Sequence, residues 1–259
     1  MKKIYIHTDM EGCSGIDRGE MVPTGGPDYR FCVERLMADL NAAIDGAFLG
    51  GADHVTVLDS HGGGGNFDVS LLDKRAEHDL KLNKKWWGIL DESYWGCLYI
   101  GAHAMAGTLN GFLDHTQSSE SIYNYYANGR KMGELGQWAM CAGHFGVPML
   151  MVSGDQCGVN EAAQFFSGVE TAAVKVGLSR MRAAALPLQE AEDLIRAAAK
   201  KAVEKTERPA PFKPMLPMEV KIEFTRSDHC DRSCVKTGVE RLDARTARRI
   251  VDCCLNYWL

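Results

Sequence analysis

Two carboxylates, Asp9 and Glu11, stand two residues apart directly after the apolar run Ile4-Tyr5-Ile6, and the chain then breaks at Gly12. Two further apolar runs end in the same way. His54-Val55-Thr56-Val57-Leu58 leads into Asp59-Ser60-His61, and Cys97-Leu98-Tyr99-Ile100 leads into Gly101-Ala102-His103. Imidazole mixed with carboxylate suits zinc, with manganese or iron as competitors, and does not suit an all-oxygen calcium site. Asp9, Glu11, His61 and His103, with one further carboxylate, exceed what a mononuclear catalytic zinc uses, since that ion takes three protein groups plus water. A carboxylate bridging two ions roughly 3.5–4 Å apart would employ them all. Taken singly, each residue reads more readily as a hydrogen-bonded strand end or a helix cap than as a ligand. Three strand ends of the same kind favour a metal centre.

A parallel α/β sheet would bring these residues together, because ligands gather just beyond the carboxyl ends of its strands. Strand and helix do alternate along the first half of the chain. Apolar residues at helical spacing predict a helix from Tyr29 to Leu49, with Asp28 as N-cap and Gly50-Gly51 as its stop. The run Gly62 to Gly65 is too flexible for a regular element. Trp86, Trp87, Tyr94 and Trp95 either wall a pocket or, more in keeping with aromatic residues, pack sheet against helix. Ile122 to Tyr126 and Lys131-Met132 flank an Asn128-Gly129 turn and predict a hairpin. A helix is expected from Glu134 to about Phe145, a buried strand over Val147 to Asp155, another over Thr171 to Val176, and an amphipathic helix over 188–205. Pro209, Pro211, Pro214 and Pro217 mark a linker at 207–217. It divides a core of 1–206 from a segment 218–259, read as a strand from Glu219 to Thr225, a Cys/His/Asp-rich turn, and a helix from about Asp243 to the end.

Composition excludes several classes. The net charge of −5 argues against a nucleic-acid or anionic-membrane surface. No run approaches the roughly 18 apolar residues of a membrane span, and the start lacks the apolar core of a signal peptide. Nine scattered cysteines suit a reducing compartment, and the expected location is cytoplasmic. His229, Cys230 and Cys234, with Cys253-Cys254, invite a structural zinc site. Their spacing is not that of a zinc finger, and free cysteines commonly pack as small hydrophobes.

Five motifs in order resemble the zinc-dependent D-aminopeptidases of the DppA type. They are Asp9-Met10-Glu11-Gly12, Asp59-Ser60-His61, Gly101-Ala102-His103-Ala104, His115 after Gly111-Phe112-Leu113-Asp114, and Gly133-Glu134-Leu135-Gly136. Ala172-Ala173-Val174-Lys175 and Ser179-Arg180 extend the similarity over roughly residues 2–205. The resemblance implies a fold of class α/β, a central largely parallel sheet flanked by helices with a smaller α+β part, and assembly as a homo-oligomer, a decamer of stacked rings. It implies two zinc ions per subunit, with Asp9 bridging, Glu11 and His103 on one metal, and His61 and Glu134 on the other. It marks His115 as the catalytic residue. The four-glycine run and the aromatic segment 86–95 depart from the family pattern, and the C-terminal fifty residues match it least.

The expected function is a metal-dependent aminopeptidase that hydrolyses the N-terminal bond of short peptides or aminoacyl amides through a zinc-activated water, with chirality at the first residue left open. Hydrolysis of another small amide, or a non-catalytic metal-binding assembly role, are the alternatives. Retention of all five ligand positions together with His115 speaks against the last. For His115, attack, proton transfer and oxyanion stabilisation are all open. Proton transfer or oxyanion stabilisation is favoured, because a metal centre activates water as the nucleophile by itself.

Overall fold

A computed structural model describes residues 1–259. The chain runs β1 (Lys3–Thr8), α1 (Tyr29–Leu49), β2 (His54–Asp59), β3 (Glu77–Asp79), β4 (Gly96–Ala102), β5 (Ile122–Ala127), β6 (Arg130–Lys131), α2 (Glu134–His144), β7 (Met149–Asp155), α3 (Gln156–Phe165), β8 (Glu170–Ser179), β9 (Arg182–Ala185), α4 (Leu188–Glu204), β10 (Met218–Phe224), α5 (Ser227–Cys234), β11 (Val239–Arg241) and β12 (Thr246–Val251). Seven strands form one sheet in the order β3-β2-β1-β4-β7-β8-β9, parallel throughout except for the β8–β9 hairpin. Five form a second, antiparallel sheet in the order β11-β12-β10-β5-β6. The fold is mixed α/β, as the sequence implied.

The central strands carry apolar residues on both faces because helices cover both. Ile4, Ile6, Val57 and Leu98 join a core with α1 and α4, whereas Tyr5, Tyr99 and Val152 join another with α2 and α3. Helices α1 and α4 lie close because Gly46 and Gly50 leave room: a Cβ at Gly46 would fall 2.3 Å from the Arg196 carbonyl oxygen. Helix α2 belongs to two cores. Its Trp138 is fully buried against the parallel sheet, where truncation to Ala would cost about 3–5 kcal/mol, and its Met140 enters the core under the second sheet.

Two expectations for the C-terminal segment are corrected. The stretch from Asp243 is not a helix. Thr246–Val251 pairs in register with Glu223–Met218, and Arg248 bridges Glu240 and Glu219 on the strands either side. Non-local pairing decides that element. The Cys/His/Asp-rich segment, read as a turn, is the helix α5. Asp28 does precede α1, but its side chain makes no capping bond and instead meets Arg18 at 3.4 Å. The second sheet draws on both sides of the proline-rich stretch, since β10 pairs with β5.

Candidate metal centre

Strand order reverses between β1 and β4: β2 and β3 lie to one side, β7 and β8 to the other. A crevice opens beyond the carboxyl ends of the strands at such a point. Asp9 follows β1 and His103 follows β4, so both open onto it. The two strand ends touch, with Asp9 N–H donating to the Ile100 carbonyl at 2.8 Å and Gly12 N–H to the Gly101 carbonyl at 2.8 Å. That approach explains the glycines in both motifs. A Cβ at Gly12 would lie 2.1 Å from the Ala102 oxygen, and Gly101, with φ +80°, would put one 2.0 Å from the Asp9 oxygen.

The structure brings all six singled-out residues together as two adjoining clusters, Asp9 with Glu11 and His61, and His103 with His115 and Glu134. His61 Nδ1 lies 3.1 Å from Asp9 Oδ1 and 3.0 Å from Glu11 Oε2. His103 Nε2 lies 3.3 Å from Asp9 Oδ2 and 3.5 Å from Glu134 Oε1. The two oxygens of Asp9 thus face one histidine each. The resemblance puts Glu11 with His103 and His61 with Glu134; of the two glutamates, it is Glu11 that lies beside His61 here and Glu134 beside His103. His115 stacks on His103 with ring centroids 4.1 Å apart and planes 8° from parallel, its Nε2 3.5 Å from Glu134 Oε1. The Nδ1 atoms of His103 and His115 each meet a backbone carbonyl, Ala104 at 3.0 Å and Leu113 at 2.8 Å. Those bonds assign the proton to Nδ1 and leave Nε2 as the coordinating or proton-accepting atom.

The donor set fits a divalent transition metal. His103 Nε2 is buried without an aligned hydrogen-bond partner although two carboxylates lie beside it, an arrangement that a cation between them would satisfy. Opposite charges at these distances bind the groups to one another. Burial opposes charge on His61, yet the Glu11 carboxylate and the bonds to Asp9 and Glu11 push it up to about 11. Burial likewise opposes the charged form of His103, and the Asp9 and Glu134 carboxylates hold its pKa well above the ordinary value. Against the cost of burial, His61 keeps Glu11 well below the usual carboxylate range. These imidazoles must shed protons to take a cation.

Buried polar groups hold the ligand loops. Lys175, fully buried on β8, donates from Nζ to the carbonyls of Glu11 at 2.7 Å and Ile16 at 2.6 Å, and burial lowers its pKa to about 8. Asp39 on α1 accepts from Ser14 N at 2.7 Å and Oγ at 2.5 Å. Glu161 on α3 accepts from Met105 N at 2.8 Å and Gly133 N at 3.3 Å, tying the loop after His103 to the start of α2; burial raises its pKa to about 7. A lysine inside an apolar strand was the available signal for Lys175. Glu161 gave none, because a carboxylate on a helix reads as a solvated face.

Asp59, at a strand end like Asp9, does not enter the site. It accepts from Asn66 N at 2.5 Å and Phe67 N at 3.1 Å, while Asn66 Nδ2 donates to the His61 carbonyl at 2.7 Å. This clasp closes the glycine run, whose four residues all take positive φ, from 56° to 100°. The run is a shaped loop under His61. The aromatic segment serves both ends expected of it: Tyr94 packs edge-on against Tyr5 at 5.2 Å, and Trp86 walls the site with its Nε1 donating to Ser60 at 2.7 Å. The centre opens into a recess of about 240 Å³. The Cys/His segment gathers no three-ligand cluster; Cys230 faces Cys234 at 3.8 Å, and Cys253 lies 3.7 Å from His144 Nδ1.

A sequence model of the D-aminopeptidase family matches residues 1–255, reaching about fifty residues beyond the resemblance read from motifs. The chain belongs to the D-aminopeptidase family. The D-aminopeptidase of Bacillus subtilis (strain 168) is 32% identical over 241 residues, 92% of this chain and 87% of that one. The solved structure of Zn-dependent D-aminopeptidase DppA from Bacillus subtilis, described as a self-compartmentalizing protease, matches with a TM-score of 0.93 at 30% identity, over 98% of this chain and 93% of that one. The C-terminal segment, where family motifs are absent, therefore shares the D-aminopeptidase fold as well.

Proposed function

We propose that this member of the D-aminopeptidase family is a zinc-dependent aminopeptidase that removes the first residue of short peptides, D-residues included. Asp9, Glu11, His61, His103 and Glu134 would hold two zinc ions, with Asp9 shared. The observation that carries this reading is the unbonded, buried Nε2 of His103 between two carboxylates. When bound, the ions would supply Lewis acidity to the scissile carbonyl and acidify water. The chain's own groups do the rest. His115, with Nδ1 committed to the Leu113 carbonyl, turns Nε2 toward the ligands, where it takes up a proton or donates one to the developing oxyanion or the departing amine. Glu134 Oε1 also accepts from Gln117 N at 2.7 Å, which fixes the carboxylate beside that imidazole.

Zinc-loaded protein assayed against matched D- and L-aminoacyl amides and dipeptides is expected to release the first residue, and a chelated sample is expected to release none. Undiminished turnover after complete chelation would exclude the metallopeptidase reading. The chain is further proposed to assemble into a closed homo-oligomer, a decamer if it follows its family, on the likeness to a self-compartmentalizing relative. Light scattering should then return a mass many times 28.5 kDa; an active monomer would refute the compartment. No helix is long and apolar enough to cross a membrane.

A further inference from the structure

Beyond the metal recess, Glu11, His61 and His115 also wall a second cavity of about 370 Å³, which extends to Arg180 and Met181 at the β8–β9 turn. Arg180 is the one Lys or Arg side chain in that wall. It is built onto the loop that carries His115. Its carbonyl accepts from Leu113 N at 2.8 Å, and its Nε lies 3.5 Å from Asp114 Oδ1. Asp114 is itself fixed, since its Oδ2 accepts from Gly107 N at 2.6 Å. On the far side Met181 O accepts from Gly19 N at 3.1 Å, which pins the turn to the loop after β1. Asp114 thus sits at Nε, while the terminal nitrogens of Arg180 meet only the Met181 sulfur, 3.7 Å from Nη1. A guanidinium held at one edge presents its other edge to a planar anion.

We propose that Arg180 binds the C-terminal carboxylate of a short peptide substrate, so that the enzyme selects peptides with a free C-terminal acid over their amides. The proposal rests on the aminopeptidase reading above. With the scissile bond at the metal recess, the leaving portion of the peptide extends past His115 into this cavity. An extended chain advances roughly 3.3–3.6 Å per residue, so a short leaving portion carries its terminal carboxylate into the cavity that Arg180 lines. A C-terminal amide would place a neutral group against the edge of the guanidinium that Asp114 does not reach.

The test compares a short peptide acid with its C-terminal amide on zinc-loaded protein, by kcat/KM and by calorimetric binding to the His115→Ala variant. The wild type should favour the acid by about ten- to a hundredfold, the scale of a charge-assisted bidentate contact. Arg180→Gln should abolish that preference, chiefly through KM, and leave the amide's kcat/KM and the zinc content unchanged. If the wild type cleaves and binds acid and amide equally, or if Arg180→Gln weakens both alike, the carboxylate site is refuted while the aminopeptidase stands. If neither peptide is cleaved or bound, both readings fail together.

Discussion

In the parallel sheet, β4 and β7 are buried at every residue, whereas β10 in the antiparallel sheet alternates buried and half-buried positions along its whole length. The first sheet is covered on two faces and the second on one. The difference extends to how each reaches the metal centre. The parallel sheet offers strand ends: Asp9, Glu11, His61 and His103 all follow directly on β1, β2 or β4. The antiparallel sheet offers the connections around its first hairpin. His115 lies on the chain entering β5, and Glu134 begins α2 immediately after β6. Buried side chains brace both: Lys175 and Asp39 hold the loop after β1, and Glu161 ties the loop after β4 to the start of α2.

If that division holds, changes on the two sides should fail differently. Asp9→Ala removes the group that faces both His61 and His103, and it is expected to lose both ions and all measurable hydrolysis. Retention of one ion per chain in elemental analysis would show that Asp9 does not bridge. His115→Ala, on the connection to the second sheet, should keep its metals and lose turnover by about a hundredfold or more. Loss of metal with activity would make His115 a ligand, and normal turnover would remove it from the chemistry. Glu161→Gln should act more mildly. Its amide turns a donor toward Met105 or Gly133 N–H, which loosens the tie between the His103 loop and α2. Zinc affinity should fall by about tenfold, the scale for a group that orients ligands, and a competing chromophoric chelator would read it. Unchanged affinity would mean that the two halves hold their places without Glu161.

The same contrast governs what could be read from the sequence. An apolar run ending in a carboxylate or imidazole is a local pattern, so the parallel sheet and the strand-end candidates that it gathers were legible from residues alone. His115 and Glu134 came only through the resemblance, because a histidine in a glycine-rich loop and a glutamate at a helix start carry no local mark of function. Asp59 carried the strand-end mark and proved to be the clasp of the glycine loop. β12 was misread because its pairing with β10 is non-local and its Arg248, satisfied by glutamates on both neighbouring strands, masks the alternation. Arg180 belongs with these: its relation to His115 exists only once the β8–β9 turn docks on the His115 loop.

The centre itself is tested most directly by adding zinc stepwise to metal-free protein and following bound metal and hydrolysis of a D-aminoacyl substrate together. Activity should climb until about two ions per chain are bound and then level off. Full activity at a single ion, or at none, would contradict a shared Asp9 and a two-ion site.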